Sequence, residues 1–205
     1  MTAPATPKGE RRQYALVSAA AALLAEGGFE AVRHRAVARR AGLPLASTTY
    51  YFSSLDDLII QAVEHIGVME VARLRSRIHE LSRRRRGPES IAEVLVDLLL
   101  EDVAGTGLDE QLISRYERHI ASARLPALRE TMRRNLRQRA EAVAEAVERS
   151  GRSARIELVR TLICAVDGSV VCALVEGGDP RTAALGTVVD VIDVLAPIDD
   201  RPIGI

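Results

Sequence analysis

Between residues 33 and 52 the chain gathers groups suited to recognition rather than to bond-breaking. Arg33, His34 and Arg35 come first, then Leu45-Ala46-Ser47-Thr48-Thr49-Tyr50-Tyr51 ahead of Phe52. Ser and Thr hydroxyls can meet base edges or phosphate oxygens, and a Thr methyl can pack on a thymine methyl. Cationic Arg33 and Arg35, with His34 between them as a hydrogen-bonding group, suit a phosphate backbone. Metal and catalytic chemistry find no comparable cluster. There is no His-Glu-x-x-His, no Glu-x-x-His pair, no Gly-rich phosphate loop and no nucleophile elbow. The chain is therefore expected to have no catalytic residues, no metal and no cofactor.

The elements that must position those groups are short helices. Val37, Ala38 and Ala41 share one face of a first short helix, about 34–41. Gly42 supplies the left-handed residue that ends it, Leu43-Pro44 turns the chain, and a second helix follows over 45–51. That second helix is too short to stand alone, so it must pack by one face and offer the other to something polar. The arrangement reads as a helix-turn-helix with 45–51 entering a DNA major groove.

Ala41-Gly42-Leu43, Tyr50-Tyr51-Phe52 and Asp56-Asp57-Leu58 carry a likeness as well. With the alanine-rich stretch after Tyr14 and with Glu26-Gly27-Gly28-Phe29, the segment Tyr14–Ile60 resembles the DNA-binding domain of tetracycline-repressor (TetR) family regulators. The resemblance implies an all-α, nine-helix fold with an N-terminal helix-turn-helix and a C-terminal effector-binding and dimerisation domain. It implies a sequence-specific transcriptional regulator, released as a repressor from a palindromic operator by an unknown small molecule. Two positions depart from the family pattern. Arg33 stands where Ser or Thr usually caps a helix, and Leu55 where Lys usually contacts phosphate.

Hydrophobic residues at 47% and charged residues at 27% describe a soluble globular chain. The formal net charge is zero, yet residues 1–52 hold seven basic and three acidic groups, a local +4 that suits a basic head on an acidic body. Cys164 and Cys172 on one helix would lie roughly 12 Å apart, too far for a mutual bridge. Absence of a signal-like start before Tyr14 points to a cytoplasmic protein. A membrane crossing by 158–175 is rejected because Arg160, Asp167 and Gly168 interrupt a stretch that would need about 20 apolar residues.

Helical periodicity extends along the rest. The expected helices are 10–26, 34–41, 45–51, Ser54 to about Leu81, 89–103, 109–121, 126–150, 154–176 and 180–196. The corresponding domains are a flexible leader at 1–9, the helix-turn-helix domain at 10–57, an effector and dimerisation domain at 58–196 and a tail at 197–205. Helix eight is apolar nearly all round and must be covered on every side, by a large core of its own chain or by a second copy. The second choice puts Val171, Leu174, Leu185, Val189 and Ile192 in a homodimer interface. Arg115, Tyr116, His119, Asp167 and Ser169 are polar groups in apolar helical stretches and are the candidate effector contacts. Arg11 and Arg12 could reach DNA, whereas Arg83–Arg86 reads as a solvated loop. A protein of another class, a ligand-independent architectural DNA binder, would fit the same head.

Overall fold

The computed structural model describes residues 7–100 and 107–199. Nine helices account for nearly all of these: α1 (Pro7–Ala31), α2 (His34–Arg40), α3 (Leu45–Tyr51), α4 (Leu55–Glu80), α5 (Pro88–Leu99), α6 (Leu108–Arg124), α7 (Pro126–Arg149), α8 (Ile156–Glu176) and α9 (Pro180–Leu195). Among the described residues the fold is all-α, as expected. The first six residues, the Gly105 break and the last six residues fall outside the described residues. Pro7–Gly9, expected in the leader, already belong to α1.

The chain divides into two compact units, one made of residues up to Met69 with Glu110–Arg134, the other of Glu70–Asp109 with the chain from Asn135 onward. In the first unit Leu16, Leu24, Val32, Val37, Phe52 and Leu58 form a core that Leu128 and Met132 of α7 complete. The backbone leaves helical geometry at Gly27 (φ −149°) and Gly28 (φ 62°), where the sequence puts a stop. That break frees the Leu24 carbonyl from its place in the helix ladder, and the buried Ser114 hydroxyl of α6 donates to it at 3.1 Å. Arg118, one turn on, donates to Ser114 Oγ at 2.9 Å. A fixed polar link thus ties α6 to α1 inside one apolar core.

In the loop Arg83–Arg86 the first three arginines are exposed, as their charge suggests, but the fourth is not. Arg86 is buried, and its guanidinium donates to Ser82 O at 3.0 Å, Ser150 Oγ at 3.3 Å and Arg149 O at 3.4 Å. Those oxygens sit just past the carboxyl ends of α4 and α7, where the helix dipole is negative and unpaired carbonyls collect. Arg152 plays the same part beside α9, with Nη1 donating to Ala196 O at 2.9 Å and to Asp193 Oδ1 at 2.7 Å. Burial lowers the Arg86 pKa, and the nearby Arg84 charge adds to that. A guanidinium still remains charged.

The start of α9 follows from local chemistry. Asp179 caps α9, accepting from Thr182 N at 2.9 Å and Arg181 N at 3.3 Å. In α8, a third of the most apolar 18-residue window is buried within the chain. By length and composition that helix could cross a membrane. Its Asp167, however, accepts two bonds from Arg139 of α7, at 3.0 and 3.1 Å, and the helix packs on α9 as a core element.

Candidate nucleic-acid interface

Gly42 makes the turn. At φ +65° it adopts the left-handed conformation, Leu43 N donates back to Ala38 O at 3.0 Å, and Gly42 N donates to Arg39 O at 3.2 Å. This pair of bonds is the Schellman arrangement, and it closes α2 before Pro44 leads into α3. Val37 and Ala38 bury the inner face of α2, and Phe52 (3% exposed) locks the far end of α3 into the same core.

With both ends fixed, α3 presents one face outward. Leu45, Ala46, Thr49 and Tyr50 are exposed, spaced i, i+1, i+4, i+5, and Tyr50 projects furthest at 79% exposure. Ser47 and Tyr51 are half-buried, and Tyr51 packs on the core. The Tyr50 and Tyr51 rings meet edge to face at 4.9 Å, so the buried ring orients the exposed one. Thr48 requires a correction. Its side chain is 0% exposed and its hydroxyl donates to Leu45 O at 2.8 Å, so it holds the helix and cannot reach DNA. The helix period decides this: residue 48 lies one turn before Tyr51 and Phe52, on the inner face.

At the amino end of α2, Arg33 takes the N-cap position with extended backbone and no side-chain cap. Its guanidinium folds back to Val32 O at 3.1 Å and pairs with Glu30. Both partners are exposed, so the pair is weak and easily exchanged for another anion. His34 is half-buried, with Nδ1 lacking a hydrogen-bond partner. Arg35 is exposed. Arg39, counted from the sequence only in the charge total, is also exposed, in the last turn of α2. Its neighbour Arg40 is instead committed to Glu26, at 2.7 Å for one of two contacts, which raises the Arg40 pKa and lowers that of Glu26.

Leu55 opens α4, half-buried against the helix-turn-helix core. Beside it, Ser54 Oγ accepts from Asp57 N at 3.0 Å. The Asp57 carboxylate accepts from the Gln61 amide at 2.9 Å and from Ser53 N at 3.0 Å, and these bonds hold its pKa below the usual value.

The candidate effector residues fall in both compact units, Arg115, Tyr116 and His119 in the first and Asp167 and Ser169 in the second. Tyr116 and His119 on α6 approach edge to face at 6.1 Å, with Arg115 beside them on the same helix. Asp167 is bound by Arg139, and the Ser169 hydroxyl is returned to Val166 O at 2.9 Å. Among the candidate dimer residues, Val171 is 40% exposed, and Leu174, Leu185 and Val189 are half-buried. Ile192 is 0% exposed and packs inside its own chain, which removes it from any interface. The described residues contain no group of three or more His, Cys, Asp or Glu side chains able to hold a metal.

Comparison with known proteins agrees with this geometry. Residues 16–62 match the family model described as bacterial regulatory proteins, tetR family, and residues 86–194 match that of the tetracyclin repressor-like C-terminal domain. Crystal structures of the multidrug binding protein EbrR are similar. The one with imidazole is 28% identical, covers 86% of this chain and 94% of its own, and superposes with a TM-score of 0.61. A candidate transcriptional regulator of Streptomyces coelicolor A3(2), SCO7518, shares 23% identity over 88% of this chain and 98% of its own, at a TM-score of 0.66. A further one from Saccharomonospora viridis, solved with choline, shares 19% identity over 94% and 100%, at 0.69. Among curated proteins none matches. With one family model over this turn and its outward helix and the other over residues 86–194, the chain belongs to the tetracycline-repressor family of DNA-binding transcriptional regulators.

Proposed function

We propose that the protein is a homodimeric repressor that reads a near-palindromic operator and leaves it when a small molecule binds. The observation that carries this reading is the outward face of α3, where Leu45, Ala46, Thr49 and Tyr50 stand exposed on a helix locked from behind by Thr48 and Phe52. In this reading Thr49 and Tyr50 meet the major groove, with Ser47 and Tyr51 at its margin. Arg33, Arg35 and Arg39 supply backbone contacts, and two heads read half-sites one helical turn or a multiple apart. Footprinting on DNA upstream of the protein's own gene tests it. Two protected half-sites lost together in Tyr50→Ala support it, and unaltered protection refutes it.

The effector in this reading is small and amphipathic. EbrR, at 26% identity, was solved with proflavin and with ethidium, which supports that class. Tyr116 and His119 are the proposed contacts on α6, with Arg115, Asp167 and Ser169 as further candidates. A thermal-shift screen with proflavin and ethidium identifies a binder. Tyr116→Ala should then weaken its release of DNA while leaving effector-free DNA affinity unchanged. Equal release by the variant removes Tyr116 from the pocket.

Dimerisation is assigned to α8 and α9 through Val171, Leu174, Leu185 and Val189. Apolar α8 residues that stay exposed in the protomer support this assignment. Charges introduced at Val171 and Val189 together should give a helical monomer by sedimentation. An intact dimer would place the interface elsewhere.

A further inference from the structure

From Thr161 to Val175 the exposed positions of α8 form one stripe: Thr161, Cys164, Gly168, Val171, Cys172 and Val175. The spacing is i, i+3, i+4 throughout, so these residues share a face. The stripe is uncharged, but Arg160 borders it at one end and Glu176 at the other, both exposed. Gly168 lies at its centre. A glycine in mid-helix costs about 1 kcal/mol relative to alanine. Nothing within its own chain explains that cost, because a Cβ at residue 168 would meet no atom within 4 Å. The position opens instead onto free space beside the helix.

We propose that α8 pairs antiparallel with α8 of a second copy about a two-fold axis at Gly168, and that this register sets Cys164 of each protomer against the partner's Cys172 as an oxidisable thiol pair. The inference rests on the homodimer reading above and adds its register. In an isologous antiparallel pair, a residue n positions before the axis faces the partner's residue n positions after it. Cys164 and Cys172 each stand four positions from Gly168, and Arg160 and Glu176 each stand eight. One register therefore pairs thiol with thiol and cation with anion, twice each by symmetry. Parallel pairing would oppose Arg160 to the partner's Arg160.

Helix geometry makes the thiol pair bridgeable. Cα atoms lie about 2.3 Å from the axis, and residues four apart are offset by about 40° in azimuth. Two helices about 8 Å apart then bring Cys164 and the partner's Cys172 to a Cα separation of about 5–6 Å, inside the range a disulfide spans. Cys164 and the partner's Cys164 would stay roughly 12 Å apart along the helix. Within one protomer the two cysteines are separated by the same rise and cannot close. Each facing pair forms one S–S bond by giving two protons and two electrons to an added diazenedicarboxamide, which is reduced to the hydrazine.

The test uses the full-length protein, reduced and then treated with that oxidant. Non-reducing electrophoresis should show a covalent dimer, and peptide mass spectrometry should find Cys164 joined to Cys172. Cys164→Ser and Cys172→Ser should each abolish the covalent dimer alone, and mixing the two variants under subunit exchange should restore it with a single bond. Gly168→Leu should cut cross-linking at least tenfold by forcing the helices apart. A covalent dimer persisting in either serine variant overturns the register, and so does a protein that sediments as a dimer yet gives no Cys164–Cys172 bond. A protein that sediments as a monomer overturns the homodimer reading and the register with it.

Discussion

Thr48→Ala separates holding the reading helix from reading with it. The substitution removes the Thr48 hydroxyl and methyl from a site with no exposure. The methyl is worth about 0.8 kcal/mol of burial, and the hydroxyl bond to Leu45 O about 1 kcal/mol net. Alanine returns a few tenths of a kcal/mol in helix propensity. The net cost is about 1.5 kcal/mol, a fall of roughly 3–6 °C in Tm for a chain of this length. Thr48→Ser and Thr48→Val divide the loss, since one keeps the hydroxyl and the other the methyl. Tyr50→Ala, on the outward face, should change stability by no more than about 0.5 kcal/mol while costing about 1–3 kcal/mol of operator discrimination. Thermal melts give the first quantity, and fluorescence anisotropy on an operator selected from random duplexes gives the second. Anisotropy is to be measured well below both melting points. Should Thr48→Ala melt like the wild type and lose operator discrimination, the side chain faces DNA and the orientation of α3 derived above is wrong.

Leu55→Lys should add one phosphate contact per protomer, steepening the salt dependence of DNA binding by about 1.8 per dimer for any sequence; an unchanged slope means residue 55 stays turned to the core. Arg86→Met removes the cation from two helix ends and should destabilise the chain by on the order of 3 kcal/mol in urea titration; Arg86→Lys should rescue little, because one ammonium cannot span both ends, and full rescue would show that charge alone suffices. Asp57→Asn tests a pH dependence: bonds from Gln61 and Ser53 depress the Asp57 pKa below its usual 3.8, so its stabilisation is present above that value and lost as pH falls through the depressed one. The wild type should thus exceed Asp57→Asn in urea midpoint at pH 7 and lose that advantage on acidification; a constant gap would contradict the linkage.

Most helix boundaries could be read from the sequence because each had a local cause. Gly42, Ser54, Pro126, Asp179 and Gly177 mark starts and stops with their own side chains or conformational freedom, and no distant contact was needed to interpret them. Placement of individual side chains was less legible. Thr48 looked available because polar residues are usually exposed, and only the helix phase set by Phe52 and Tyr51 turns it inward. Ile192 looked like interface because α9 is rich in valine and isoleucine, and its burial depends on how α9 lies on α8. Arg86 carried the least warning. Four consecutive arginines signal solvent, and of the two carboxyl ends that receive Arg86, that of α4 is near but that of α7 lies 63 positions away. Asp167 was recognised as an unusual polar residue, but its partner Arg139 is 28 positions away.

The bond from Ser114 to Leu24 bears on how such a protein could be recombined. Its reading head looks like a removable cassette, since the matching family model ends at residue 62. The compact unit does not end there, for it also takes in Glu110–Arg134. A head grafted from residues 1–62 would carry an α1 whose Leu24 carbonyl has lost its donor and a core missing Leu128 and Met132. It would also carry Gly28, whose absent Cβ leaves room for Glu117 of the discarded helix. Exchanging specificities between relatives therefore demands transplanting α6 and the start of α7 along with the head, or repairing both seams. The same packing bears on natural shuffling, because a crossover between α4 and α6 would separate residues that belong to one compact unit.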